Sequence, residues 1–320
     1  MYWQQALDIL RWLRVHRWFR IGVNVVLGLA LLLFVGCHLV TDWQQIAEAE
    51  IKPDITYLWM ALAFLGLYGV NLVILSTAWH AIIVRFGGPT DWRQNFLFYS
   101  YTNITTFLPT PVWFLTSRVH FYNRVGVRWS TTLTTTALET ALHIVTGLAV
   151  YAALSIDPAH PETWPWALGL APVVAALMHP RWLALTWLNK GAGPDVSRRD
   201  AGIWLTSYAL TWLMAGVFFA IVIGILGPAA LPGLGDLWRI WILAGVVAYV
   251  TGYLLGGLGI LREFTLTWLL SEFYSPTEAL LFAASVRLLM TVSGILWGLV
   301  IIALMRTLFR CHPNQAQRGA

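Results

Sequence analysis

The sequence predicts an all-α polytopic membrane protein with about six spanning helices and two re-entrant or broken helical hairpins, arranged as an inverted repeat. Three observations carry that expectation. Of 320 residues, 58% are hydrophobic and only 11% are charged, and the mean hydropathy is +0.67, well outside the range of a soluble domain. The apolar residues are gathered into runs long enough to cross a hydrocarbon core roughly 30 Å thick. The basic residues cluster in alternate loops, as the positive-inside rule requires. Nothing is left over for a separate soluble catalytic domain. The small excess of 20 basic over 15 acidic residues bears on orientation and not on nucleic acid, so no nucleic-acid partner is expected.

Residues 1–20 interleave Trp3, Leu7, Leu10, Leu13 and Phe19 with Arg11, Arg14, Arg17 and Arg20. This suits a basic amphipathic helix on the cytoplasmic leaflet and equally a solvated start to the first span. No small-residue cleavage site follows, so a cleavable signal peptide is not expected. A single transmembrane domain is expected over 21–308, with a cytoplasmic tail at 309–320. Six apolar stretches read as spans: 21–41, 55–84, 131–156, 165–178, 202–226 and 277–308. Two others are broken. Residues 94–117 carry Tyr99, Tyr101, Asn103, Thr105 and Thr106, then Pro109 and Pro111, which a straight lipid-facing helix does not favour. Residues 237–271 begin apolar, are interrupted at Gly252, Gly256, Gly257 and Gly259, and resume after Arg262 and Glu263.

Charge order decides how the broken segments run. With a cytoplasmic N-terminus, Asp42, Glu48, Glu50 and Asp54 fall outside, and Arg85 and Arg93 inside. Arg118, Arg124 and Arg128 are also inside only if 94–117 enters and leaves on one face. Asp157 and Glu162 are then outside, Arg181, Lys190, Arg198 and Arg199 inside, and Asp236 outside. A second hairpin at 237–271, from the opposite face, returns Arg306, Arg310 and Arg318 to the inside. The order span, span, hairpin, span thus occurs twice, at about 21–156 and 165–308, in opposite orientations. Leu-Pro-Thr-Pro at 108–111 precedes Val-Thr-Gly-Leu at 145–148 by about the distance that separates the Gly256 to Gly259 loop from Val-Ser-Gly-Ile at 292–295. Paired breaks in inverted halves point to a transporter site near the bilayer midplane.

An ionisable side chain at the centre of a span costs roughly 2.5 to 3.5 kcal/mol on insertion scales, so it faces a cavity or a partner. Glu139 and His143 share a helix face at i, i+4, Arg287 lies in the last span, and Arg118, Arg262 and Glu263 flank the broken segments. In one reading, Arg118, Arg262 and Arg287 surround a cavity that accepts an anionic head group, because guanidinium binds phosphate oxygens bidentately and stays charged when desolvated. Half-helix N-termini at Pro109, Pro111, Gly256, Gly257 and Gly259 would add backbone donors and act as hinges. In the other reading, Glu139 pairs with Arg287, and Arg262 with Glu263 or a lipid phosphate, as structural ties. His143 is either a proton relay or a hydrogen-bonded core residue. Tyr99 and Asn103 either line the cavity or satisfy broken backbone. Trp129, Trp164, Trp166, Trp182 and Trp238 are expected as aromatic-belt anchors. No phosphate-binding Gly-x-x-x-x-Gly-Lys loop occurs, and Cys37 and Cys311 form no spaced motif, so neither a cofactor nor a metal is expected.

Two stretches carry a family resemblance. Residues 118–154 read Arg-x5-Arg-Val-Gly-Val-x-Trp-Ser, then Thr-Ala-Leu-Glu139, then a long apolar span. Residues 256–297 read Gly-Gly-Leu-Gly-Ile-Leu-Arg-Glu-Phe, then Ser-Pro-Thr-Glu-Ala-Leu, then Ser-Val-Arg287-Leu. From about residue 20 to 308 the chain resembles the lysylphosphatidylglycerol synthase transmembrane-region family, the membrane proteins related to the flippase part of that enzyme. It departs from the family at Thr140 and His143, where Arg and Asp are common, and at the extra Leu261. The resemblance implies an inner-membrane protein that moves a phospholipid between leaflets, with Arg118, Glu139, Arg262, Glu263 and Arg287 as the matching polar residues. The aminoacyl-transfer domain is absent, so lysyl transfer is not implied. The leading expectation is a lipid translocase with membrane lipids of anionic or phosphorylated head group as partners. The alternatives are a membrane-embedded enzyme or accessory subunit acting on a phospholipid or lipid-linked sugar, with Glu139 or Glu263 as general base, and a small-solute transporter. A lipid-modifying enzyme is a candidate protein partner.

Overall fold

The computed structural model describes residues 55–105, 111–156, 196–226, 232–255 and 260–310, which among themselves form eight helices and no strand. They are α1 (Ile55–Arg85), α2 (Trp92–Ile104), α3 (Pro111–Arg124), α4 (Trp129–Leu154), α5 (Arg198–Leu226), α6 (Leu234–Leu255), α7 (Ile260–Leu270) and α8 (Pro276–Arg310). The expected spans at 21–41 and 165–178, the N-terminal basic segment and the tail lie outside the described residues, as do Pro109, Gly256, Gly257 and Gly259.

Five helices, α1, α4, α5, α6 and α8, are long and apolar enough to cross a membrane. The helices α2, α3 and α7 have 13, 14 and 11 residues. At about 1.5 Å per residue each reaches only about two thirds of the hydrocarbon thickness or less. Each of the two segments expected to be broken therefore carries two helices, but the two segments are unequal. The first consists of two half-length helices, whereas α6, at 22 residues, is long enough to cross unaided before α7 begins.

Helix ends follow from local chemistry. Asp91 caps α2, its carboxylate accepting from the Arg93 amide at 2.9 Å. Ser197 and Asp200 form a reciprocal capping box at the start of α5, and Ser275 and Glu278 form another at α8, where Pro276 takes the first helical position. Gly87 and Gly126 close α1 and α3 in the left-handed region, at φ of 82° and 85°, which favours glycine. The end of α1 and the start of α5 meet at one face, since Arg85 Nη2 donates to Asp200 Oδ1 at 2.9 Å.

The principal packed pairs are α1 with α2, α4, α5 and α8; α2 with α3 and α8; α3 with α4; α4 with α5 and α6; α5 with α6 and α8; α6 with α7; and α7 with α8. Lipid gives apolar helices little reason to associate, so close approach must come from small residues and specific packing. Here tryptophans seat on glycines. A Cβ at Gly69 would lie 2.2 Å from the Trp297 ring, one at Gly216 1.4 Å from Trp238, and one at Gly147 2.9 Å from Trp212. Each indole N–H donates to a carbonyl on a neighbouring helix, from Trp297 to Leu65, Trp238 to Leu213 and Trp212 to His143, all at 2.9 Å. Trp238, expected as a belt anchor, is therefore a helix-to-helix fastening.

Replacing Gly216 by Val is expected to lower the thermal midpoint of the detergent-solubilised protein, with an overpacking cost of about 1–3 kcal/mol. Gly66, whose Cβ would meet nothing within 4 Å, serves as the control, and Gly66→Ala is expected to leave the midpoint unchanged.

Candidate functional site

The helix α4 owes its inward polar face to threonine. Thr132, Thr135, Thr136, Thr140 and Thr146 are buried, and each hydroxyl donates back to a carbonyl one turn earlier. That arrangement lets hydroxyls sit in an apolar bundle without being orphaned. The same face carries Glu139 and His143, both buried.

Glu139 is ion-paired with Arg118 of α3. Arg118 is 1% exposed, and its Nη1 also lies 3.5 Å from Thr136 Oγ1. Three rings surround the guanidinium, with Trp79, Phe114 and Tyr99 centroids 4.1, 4.3 and 4.9 Å from Cζ. Their π faces favour a desolvated cation. Tyr99, weighed as a cavity-lining residue, is thus a wall of this cage. Behind it runs a chain of hydrogen bonds. Trp79 Nε1 donates to Tyr122 Oη at 2.6 Å, Tyr122 donates to Asn95 Oδ1 at 2.8 Å, and Asn95 Nδ2 reaches the Pro89 carbonyl at 2.6 Å and His80 Nδ1 at 2.8 Å.

His143 Nδ1 lies 3.2 Å from the Glu139 carbonyl. Its ring is held against Tyr208 and Tyr249, with centroids 4.4 and 4.9 Å away, and edge-on to Trp212. It therefore stands beside the ion pair as a packed, ring-enclosed residue.

The second cluster joins α7 to α8. Glu263 Oε1 accepts from Arg262 Nε at 3.1 Å and Nη2 at 2.7 Å, and from Arg287 Nη1 at 3.4 Å. Arg262 also lies over the Trp241 ring at 5.5 Å and contacts Met290 Sδ at 3.5 Å. The Arg262 and Glu263 side chains are 15% and 14% exposed, whereas Arg287 is 45% exposed. On α8, exposed Leu281, Leu288, Val292 and Leu299 form an apolar stripe at helical spacing, and Arg287, also exposed, is turned about 100° from Leu288 round the same helix. Asn103 is elsewhere. With Tyr68, to which it is hydrogen-bonded, and with Ser100 and Trp297, it lines a small cleft between α1, α2 and α8.

The three arginines thus fall into two clusters and do not ring one cavity. Glu139 pairs with Arg118, not with Arg287; the alternative pairing expected from helix position gives way because α3 packs directly on α4. Sequence reading did not find the aromatic cage, the Trp79 to His80 chain or the threonine face. The run Ser-Thr-Thr-Leu-Thr-Thr-Thr at 130–136 was a visible signal for the last of these. Among the described residues there is no group of His, Cys, Asp and Glu suited to a metal.

Helices of this length and apolarity, with ion pairs among them, define a helical membrane protein. No family model matches the chain, and no curated protein matches its sequence.

Removing one member of the buried pair is expected to be severe. Glu139→Ala should cost about 3–5 kcal/mol of stability, because it strands the Arg118 charge. Arg287→Ala, at an exposed and longer contact, should cost under about 1 kcal/mol. Thermal unfolding of the two variants in detergent checks the ordering.

Proposed function

We propose that the protein is a lipid translocase that moves a phospholipid or lipid-linked head group between leaflets through polar sites inside the bundle. The observation that carries this reading is the Arg262, Glu263 and Arg287 cluster. Two guanidinium groups share one carboxylate, so the cluster has net charge +1, and its most exposed member stands on a membrane-crossing helix that also exposes an apolar stripe. A singly anionic phosphate neutralises that charge and offers oxygens for bidentate pairing. Arg287, held to Glu263 at 3.4 Å, is the member free to turn toward it. Neither the net charge nor the exposure is needed by a structural tie.

The inverted-repeat reading has support in the packing. Exchanging α1, α2, α3 and α4 for α5, α6, α7 and α8 turns every principal packed pair into another principal packed pair. The same exchange sets the Arg118–Glu139 pair of α3 and α4 against the Glu263–Arg287 pair of α7 and α8, with the charges reversed. In this reading both termini are cytoplasmic, the membrane is a bacterial or archaeal inner membrane, and α2–α3 is the re-entrant hairpin. The Arg85–Asp200 contact supports placing the end of α1 and the start of α5 on one and the same face. Membership of the lysylphosphatidylglycerol synthase transmembrane-region family is part of the proposal and rests on the motif resemblance alone.

The test is leaflet exchange in proteoliposomes with fluorescent anionic phospholipids and a dithionite quench. Wild type is expected to expose well over half of the label to the quencher. Arg287→Ala is expected to slow exchange about tenfold or more, the loss of a charged hydrogen bond to phosphate. Protection of the inner half in wild type would remove uncoupled translocation of these lipids and favour the enzyme or accessory reading.

A further inference from the structure

We infer that Arg118 carries a second, occluded oxyanion slot, separate from the Arg262 and Arg287 cluster. Its Nη1 is engaged by Glu139 and Thr136, and three rings surround it. Its Nε and Nη2, which form one edge of the fork, are buried without a hydrogen-bond partner. Those two N–H groups point in parallel, the geometry that pairs with two oxygens of a phosphodiester or carboxylate, and they have almost no accessible surface, so the surrounding rings must part to admit an anion. A buried donor left unmade is costly, and a cation present only to hold α3 to α4 needs no such open edge. The chemistry matches that of the open cluster, so this inference rests on the translocase reading and extends it. An anion held first at the exposed Arg287 has a second, sealed station of the same kind in the other half.

Charge balance sets a condition on filling the slot. Arg118 and Glu139 are already neutral together, so an added anion is balanced when a proton is taken up by His143, a turn along α4. The other groups that face the carboxylate are Tyr99 on α2, Tyr122 on α3 beside Arg118, and Tyr208 on α5, while Tyr249 on α6 stacks on His143. None of these tyrosines supplies a positive charge, which leaves the imidazole as the proton acceptor.

Native mass spectrometry of the full chain in detergent counts the bound anions, using short-chain phosphatidylglycerol in one arm and inorganic phosphate in the other. Wild type is expected to bind two lipids, and Arg287→Gln and Arg118→Lys one each. Lysine keeps the charge opposite Glu139 but lacks the bidentate edge, so the lost copy should be weakened roughly tenfold or more. The double variant Arg118→Gln with Glu139→Gln removes both charges together and is expected to lose the same copy, which excludes a stranded charge as the cause. The Arg118-dependent copy should bind more tightly at mildly acid than at mildly alkaline pH, and binding that is indifferent to pH overturns the coupling to a proton. Undiminished binding of both anions in Arg118→Lys overturns the slot. Loss of inorganic phosphate alone upholds the slot and assigns it a soluble anion. Translocation is scored separately: failed exchange with an intact Arg118-dependent copy overturns the function but not the slot, and normal exchange with unchanged binding in Arg118→Lys overturns the slot alone.

Discussion

A charged pair sealed inside an apolar bundle constrains everything packed around it. Taking the Arg118 and Glu139 side chains out of water costs several kcal/mol for each ion, and their attraction offsets this only with good geometry and further polar support. The structure supplies that support from four helices. Helix α4 brings Glu139 and Thr136, α3 brings Arg118 and Phe114, α1 brings Trp79, and α2 brings Tyr99. The short helices α2 and α3 are therefore more than filling between spans. They carry the cation and part of its aromatic surroundings, and they hold α1 and α4 at the spacing the pair requires.

The two charged clusters use the same kinds of groups to different ends. In the first, one arginine meets one carboxylate, neutral and closed to solvent. In the second, two arginines meet one carboxylate, positive and partly open. A neutral buried pair favours a defined helix arrangement, while a net charge on a helix that also exposes an apolar stripe favours an anionic ligand.

Packing outside the charged clusters depends on indole against glycine. A lipid-exposed helix gains little by burying leucine, since the tails are equally apolar. A tryptophan that covers a glycine and donates to a carbonyl on the neighbouring helix gains both contact and a hydrogen bond. Trp212, Trp238 and Trp297 all do so. In the sequence these tryptophans look no different from those at span ends, because an aromatic belt and a packed interface use the same side chain.

The spans α1, α4, α5 and α8, and the breaks after α2 and α6, could be read from runs of apolar residues and from proline and glycine, because length against hydrocarbon thickness and backbone satisfaction are properties of the local chain. The scarcity of ionisable residues in those spans also singled out Arg118, Glu139, Arg262, Glu263 and Arg287 in advance. Which of them meet was a different matter. Glu139 stood equally well placed for Arg287 until the contact of α3 with α4 brought Arg118 to it, and Arg118 was read as open to a ligand until Trp79, Tyr99 and Phe114, which lie on three helices, closed around it. Spacing along one helix fixes a shared face, but partners and accessibility arise between helices, from crossings that no local run of residues encodes.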